Sequence, residues 1–157
     1  MIIDLQQAPH LIPTLARWHH AEWSALNPGQ SLEQRIARMS RYRTDEALPR
    51  MVVWLDGEQP LGTAALVQSD MDTRPQQGPW LAAVYVREDC RRRGIAEALI
   101  SHVVAQAREA GHPELFLFTP SQAPYYARRD WQTLAVEDYR GQQVTVMHMA
   151  LNSEQTA

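Results

Sequence analysis

Cys90 is the only cysteine in the 157 residues, so no internal disulfide can brace the fold and the usage fits a reducing compartment. No run of about eighteen apolar residues occurs, so no transmembrane helix is expected. The opening MIIDLQQAPH lacks the basic and long apolar regions of a secretory signal, and a cytoplasmic location is expected. Positive charge is not in excess. Fifteen Lys and Arg against eighteen Asp and Glu leave a net charge of −3, which argues against nucleic acid as a partner and makes any basic site local. The phosphate motifs G-x-x-x-x-G-K-[ST] and G-x-G-x-x-G are missing, and so is the G-x-S-x-G elbow of serine hydrolases. Six histidines show no H-x-x-x-H spacing and Cys90 has no second thiol, so no metal site is expected.

What is present reads as a single domain over residues 1–157, with 45% apolar residues and no repeats or low-complexity linkers. Residues 2–5 suit a short strand. Leu11, Leu15 and Trp18 recur at helical spacing, with Pro13 tolerated in the first turn, until Asn27-Pro28-Gly29 breaks the helix. Ser31 and Gln34 form a capping-box signature ahead of Leu32, Ile36 and Met39, and this second helix ends before Pro49. Strands are expected at 51–55, 61–67 and 81–86, the first two joined through Asp56-Gly57-Glu58. The run LAAVYV is apolar on both faces, as in a buried central strand.

From Gly94 to Ala110 the pattern is helical, with Ile95, Ala98, Leu99, His102, Val103 and Gln106 on one side and Gly111 as the stop. ELFLF at 114–118 reads as another buried strand, 124–129 as a short helix, and 143–151 as an alternating edge strand. The expected fold is α/β, a mixed sheet flanked by helices, with a βαβ crossover from 81–86 to 114–118. The edge strand leaves monomer and homodimer both open.

CRRRGIA, residues 90–96, poses an electrostatic problem. Three arginines stand where a helix begins, and the positive end of the helix dipole disfavours cations there. Either they splay into water, or an anion absent from the chain binds there. Gly94 lets such a ligand approach the backbone, and guanidinium groups suit phosphate oxygens. Cys90 lies among these cations, yet a small residue filling the loop explains it better than a nucleophile does.

Arg91-x-x-Gly94-x-Ala96, between an apolar strand and an amphipathic helix, resembles the acetyl-CoA loop of the GNAT N-acetyltransferases, and the order of elements agrees along nearly the whole chain. The resemblance implies acetyl-CoA as acetyl donor. Arg91, Arg92, Arg93, Gly94, Ile95 and Ala96 would hold its pyrophosphate. Main-chain groups of Val84 and Val86 would hold its pantetheine arm. Tyr85 would line the acceptor pocket or pack as a strand aromatic.

APYYARRDW, residues 123–131, resembles the family's tyrosine segment and puts Tyr126 where a general acid would protonate the departing thiolate; packing over the cofactor is its other reading. Asp130 replaces the usual glycine there, and Thr119 replaces an asparagine often found seven residues before the tyrosine. On the acceptor side the family's architecture points to Glu22, Trp23, Asp70 and Asp72, an aromatic wall with carboxylates suited to a cationic amine. Trp23 as helix core and the aspartates as loop solubility remain alternatives. The general base is open among Glu22, His19, His20, Asp70, Asp72 and water. The expected activity is direct acetyl transfer to a primary amine of a small molecule or peptide; the alternative is a coenzyme A-binding sensor without turnover.

Overall fold

A computed structural model describes residues 1–43 and 48–151, Arg43 by its backbone alone. The elements run β1 (Ile2–Asp4), α1 (Ile12–Trp23), α2 (Leu32–Met39), β2 (Arg50–Asp56), β3 (Gln59–Val67), β4 (Trp80–Val86), α3 (Ile95–Glu109), β5 (Glu114–Thr119), α4 (Ala123–Ala127), β6 (Gln132–Tyr139) and β7 (Gln142–Ala150). The strands form one mixed sheet in the order β1-β2-β3-β4-β5-β7-β6.

Local chemistry sets the boundaries. Pro13 lies in the first turn of α1, where its missing N–H costs nothing. The capping box at α2 is complete: Gln34 N–H donates to Ser31 Oγ and Ser31 N–H to Gln34 Oε1. Ser40 continues α2 into a single 3₁₀ turn over Ser40–Arg43. The expected end of this helix before Pro49 therefore falls partly on residues 44–47, outside the described residues. Gly57, at φ +64°, turns the β2–β3 hairpin, and Gly111, at φ +87°, follows the end of α3.

The helices divide between the two faces of the sheet. Leu99, Ile100 and Val103 of α3 pack with Tyr126 and Trp131 against Ala64, Leu66, Leu115 and Leu117. On the other face Leu15 and Ala16 of α1 and Met39 of α2 pack against Met51, Val53 and Ala65. A third group, centred on fully buried Trp80, joins Phe116, Tyr139 and Val146.

Strands β4 and β5 run parallel and meet at a single register position, Trp80 opposite Phe116. Beyond it they part. The crossover expected from 81–86 through the long helix to 114–118 is present.

Four sequence expectations change. A strand at 132–139 went unread, because its regular alternation exposes apolar residues: Leu134 is 40% and Val136 58% exposed. Consequently β7 lies inside the sheet, between β5 and β6, and β6 is the edge. The buried stripe of α3 is Ile95, Leu99, Ile100, Val103 and Ala107, and His102 faces solvent. LAAVYV is fully covered only at its ends; Ala82, Ala83, Val84 and Tyr85 are half-buried where β4 separates from β5.

The Ser31 cap orients the whole of α2. Ser31→Ala is expected to cost about 1 kcal/mol, the usual value of a side-chain N-cap, as a lower urea midpoint with unchanged slope. An unchanged midpoint would mean that tertiary packing alone fixes the start of α2.

Candidate active site

The parting of β4 and β5 is created by an extra residue. Pairing with β3 shifts from Thr63–Tyr85 to Ala65–Ala82, so β4 carries a bulge, and Ala83 adopts φ +53°. Such a backbone is strained for a residue with a Cβ and needs support. The support is polar and buried. Thr63 Oγ1 donates to the Ala83 carbonyl at 2.8 Å, and His19 of α1 meets the same hydroxyl through Nε2 at 3.0 Å. The hydroxyl has one proton, already committed to Ala83, so Nε2–H of His19 is the donor. Burial, then the Arg35 charge, lowers the His19 pKa from 6.5 to about 3, so the imidazole is neutral and Nδ1 is left as a bare, buried acceptor.

A cavity of about 620 Å³ opens where the strands diverge and passes between the two faces of the sheet. Ala82, Ala83 and Val84 line it from β4, and Leu117, Phe118 and Thr119 from β5. Tyr126 lines it from the α3–α4 face. His19, Glu22 and Trp23 of α1, and Arg35, Arg38 and Met39 of α2, line it from the opposite face, with Asp70 and Arg140 contributed by loops. Two reactants can therefore approach one point from opposite sides of the sheet.

Tyr126 is held by the turn that follows it. Asp130 takes φ +72°, and Trp131 N–H returns to the Tyr126 carbonyl at 3.2 Å, a Schellman-type closure that seats Trp131 edge-on to the Tyr126 ring at 5.9 Å. Aspartate thus replaces the expected glycine without losing the turn. Thr119 Oγ1 accepts from the Ser121 and Gln122 amides and fastens the approach to α4. Burial raises the Tyr126 pKa well above its ordinary value, so the phenol is protonated.

The start of α3 fits an anionic cofactor. Arg92 at φ +67° and Gly94 at φ +77° curl the loop before the helix, no side chain caps it, and a Cβ at Gly94 would meet nothing within 4 Å. Arg92 and Arg93 are exposed, without a hydrogen bond or ion pair among the described residues. Arg91 is engaged: its Nε donates to the Val86 carbonyl at 2.9 Å and its guanidinium lies over the Tyr85 ring at 5.6 Å. The bare amides of the first turn can hold a pyrophosphate, with two free arginines beside them.

Residues 12–131 match the model of the acetyltransferase (GNAT) family. The chain belongs to that family. It is an N-acetyltransferase that uses acetyl-CoA, and its fold is shared with solved structures at low identity. An N-acetyltransferase from Staphylococcus aureus Mu50 gives a TM-score of 0.72 at 15% identity, covering 96% of this chain and 98% of that one. A Salmonella typhimurium acetyltransferase, solved with its cofactor acetyl-CoA, gives 0.70 at 16%, covering 96% and 93%. An aminoglycoside 6'-acetyltransferase type Ii gives 0.73 at 16%, covering 96% and 97%.

In this acetyltransferase the residues singled out from sequence fall into two groups. Val84, Tyr126, Glu22, Trp23 and Asp70 meet at the cavity. Val86 is buried in the α3-side core, as is Ile95, while Ala96 packs half-buried beside them. Tyr85 packs against Trp18 at 5.5 Å and Trp23 at 6.1 Å and is absent from the cavity lining. Asp72 is exposed and paired with Arg140 at 2.9 Å, which holds its carboxyl below the usual range. Asp70 differs: burial first of all pushes its pKa up to about 6, against the pull of Arg38 and Arg35. Cys90 is buried in the core, with Sγ 3.4 Å from Asp89 Oδ1.

Arg35, Arg38, Thr63 and Arg140 were not singled out. Thr63 carried a signal, being the one polar side chain within the apolar run LGTAALV. Among the described residues no cluster of His, Cys, Asp and Glu can hold a metal, and no helix is long and apolar enough to cross a membrane.

The neutral His19 predicts a pH dependence. Its folded pKa lies below the unfolded one, so the unfolded chain binds more protons between about 3 and 6.5 and stability falls as pH drops through that window. This group contributes about 1.4 kcal/mol per pH unit. Urea unfolding across the window should show a shallower slope in His19→Gln than in the parent; equal slopes would place the proton uptake elsewhere.

Proposed function

We propose that the protein transfers acetyl directly from acetyl-CoA to a primary amine of a small molecule or peptide, and that Tyr126 is the general acid. The observation carrying this reading is the single cavity that joins Tyr126 on one face of the sheet to the α1–α2 surface on the other, past the bulge of β4. When bound, acetyl-CoA supplies an electrophilic thioester carbonyl and a thiolate leaving group. The amides of Arg92 to Ala96, with the Arg92 and Arg93 side chains, hold its pyrophosphate. Main-chain groups of Val84 and Val86, unpaired with β5 because the strands diverge, hold the pantetheine arm as an added strand and orient the thioester, the Val86 carbonyl sharing its acceptor sites with Arg91 Nε.

Trp23 and the carboxylates of Glu22 and Asp70 receive the amine from the α1–α2 side. The ammonium has no lone pair, so it first releases one proton to solvent and nitrogen attacks as the neutral amine. Asp70, ionised at neutral pH because its pKa of about 6 lies below ambient pH, takes up the second proton as the C–N bond forms. As the C–S bond breaks, Tyr126 donates its phenolic proton toward sulfur. Burial makes the phenolate costly, but the thiolate forms in the same desolvated cavity, where its own charge is costly. The proton therefore passes to sulfur as the C–S bond breaks, and Tyr126 is reprotonated from solvent when the products leave. Asp72 acts on Arg140 and meets no substrate. His19, neutral and turned into Thr63, sets the bulge and is no base.

Tyr126→Phe removes one oxygen and keeps the ring against Trp131. Its kcat with an acetylated amine should fall by about 10²–10⁴, the usual weight of a general acid, while acetyl-CoA affinity changes little. An unchanged kcat would withdraw the acid assignment. Equal losses in affinity and rate would make Tyr126 a packing residue.

A further inference from the structure

Among the described residues, the acceptor side of the cavity carries more positive than negative charge, which disfavours a purely cationic amine. Its charged lining among the described residues is Arg35, Arg38, Arg41 and Arg140 against Glu22 and Asp70, in a chain whose net charge is −3. Arg140 is neutralised by Asp72, outside the lining. The remainder centres on α2. Arg35, Arg38 and Tyr42 are spaced three and four residues apart, so they share one side of the helix and its 3₁₀ extension, and all three line the cavity.

Arg35 is half-buried and donates only from Nε, to Gln30 Oε1 at 3.1 Å; its two terminal nitrogens meet no acceptor among the described residues. Arg38 makes no hydrogen bond or ion pair there. Asp70 is the neighbouring carboxylate, yet neither arginine comes within the 4.0 Å of a salt bridge to it. Burial, then the nearby Arg38 charge, lowers the Arg35 pKa, and Tyr42 and Asp70 offset this only in part. A half-buried guanidinium beside a second cation is costly unless an anion joins them. Every basic Lys or Arg position in this chain is arginine, so the cations here are planar forks suited to an oxyanion.

We propose that the acceptor is an amine that also bears an oxyanion, a carboxylate or a phosphate, with Arg35 and Arg38 receiving the oxyanion while Asp70 faces the ammonium end. The assignment rests on the acetyl-transfer reading and adds its substrate class. It discriminates by repulsion as well as attraction, because a polyamine brings only further positive charge to α2.

Matched acceptors test it with acetyl-CoA: L-phenylalanine against phenethylamine for a carboxylate, phosphoethanolamine against ethanolamine for a phosphate, and spermidine as the all-cationic probe. In at least one pair the anionic member should have kcat/KM tenfold or more above its partner and above spermidine. Arg35→Gln and Arg38→Gln should each raise KM for that member about tenfold or more and leave the KM of the uncharged partner within about twofold, while any change in kcat from the altered Asp70 pKa is common to both members. Which pair responds separates carboxylate from phosphate.

Melting with and without acetyl-CoA tests the transfer reading separately. A shift with acetyl-CoA, together with a preference for spermidine or the uncharged amines, overturns the proposal and leaves acetyl transfer standing. The same holds if the arginine variants affect both members of a pair alike, or if no anionic probe is turned over. No shift with acetyl-CoA overturns the transfer reading and this proposal with it.

Discussion

The bulge in β4 is the constraint on which the rest of the site depends. One extra residue at Ala83 prevents β4 from continuing its parallel pairing with β5 beyond Trp80 and Phe116. Without that divergence the sheet would have no opening, and Tyr126 and α2 would lie on opposite sides of a closed layer. A residue with a Cβ at φ +53° costs of order 1–3 kcal/mol, so the conformation persists only because its surroundings fix it. Thr63 and His19 do so from the adjacent strand and the helix above it. The chain of donors is directional, His19 to Thr63 to Ala83, and the directional logic requires a neutral imidazole.

The two faces of the sheet present different electrostatics to that opening. Below it, the start of α3 offers uncapped amides and two unpaired arginines to an anionic cofactor. Above it stand two arginines of α2 and the partly desolvated Asp70 of the loop after β3. In between lie mostly apolar side chains and the Tyr126 phenol, which burial keeps protonated. On the proposed reading, polar groups bind at the two ends and bond making takes place in a poorly solvated middle, where a single hydrogen bond to developing charge carries more weight.

Short-range chemistry was legible in the sequence. The Ser31–Gln34 box, the Gly57 and Gly111 turns, and the arginine loop before α3 each rest on residues a few positions apart, and each formed as read. Asp130 kept the turn because aspartate tolerates a left-handed backbone. Strand β6 was not legible, since Leu134 and Val136 face solvent and contradict the inward pattern that identifies strands. The α3 stripe expected from sequence includes His102, whereas Ile100 and Ala107 are buried where α3 packs on β2, β3 and β4, a placement that periodicity alone does not specify. Tyr85 also took its packing role from elsewhere in the chain, from Trp18 and Trp23 of α1.

The sequence by itself determined where most helices start and stop, the curled arginine loop before α3, and the turn that carries Tyr126, because local hydrogen bonding and backbone preference decide those features. Only the tertiary structure decided that β4 and β5 part, that His19 is neutral and structural, that Asp70 is desolvated while Asp72 is not, and that Arg35 and Arg38 look into the same cavity as Tyr126. Those properties arise from groups far apart in sequence, such as His19 with Thr63 or Arg35 with Asp70. Burial and charge act through space, so no local pattern of residues encodes them.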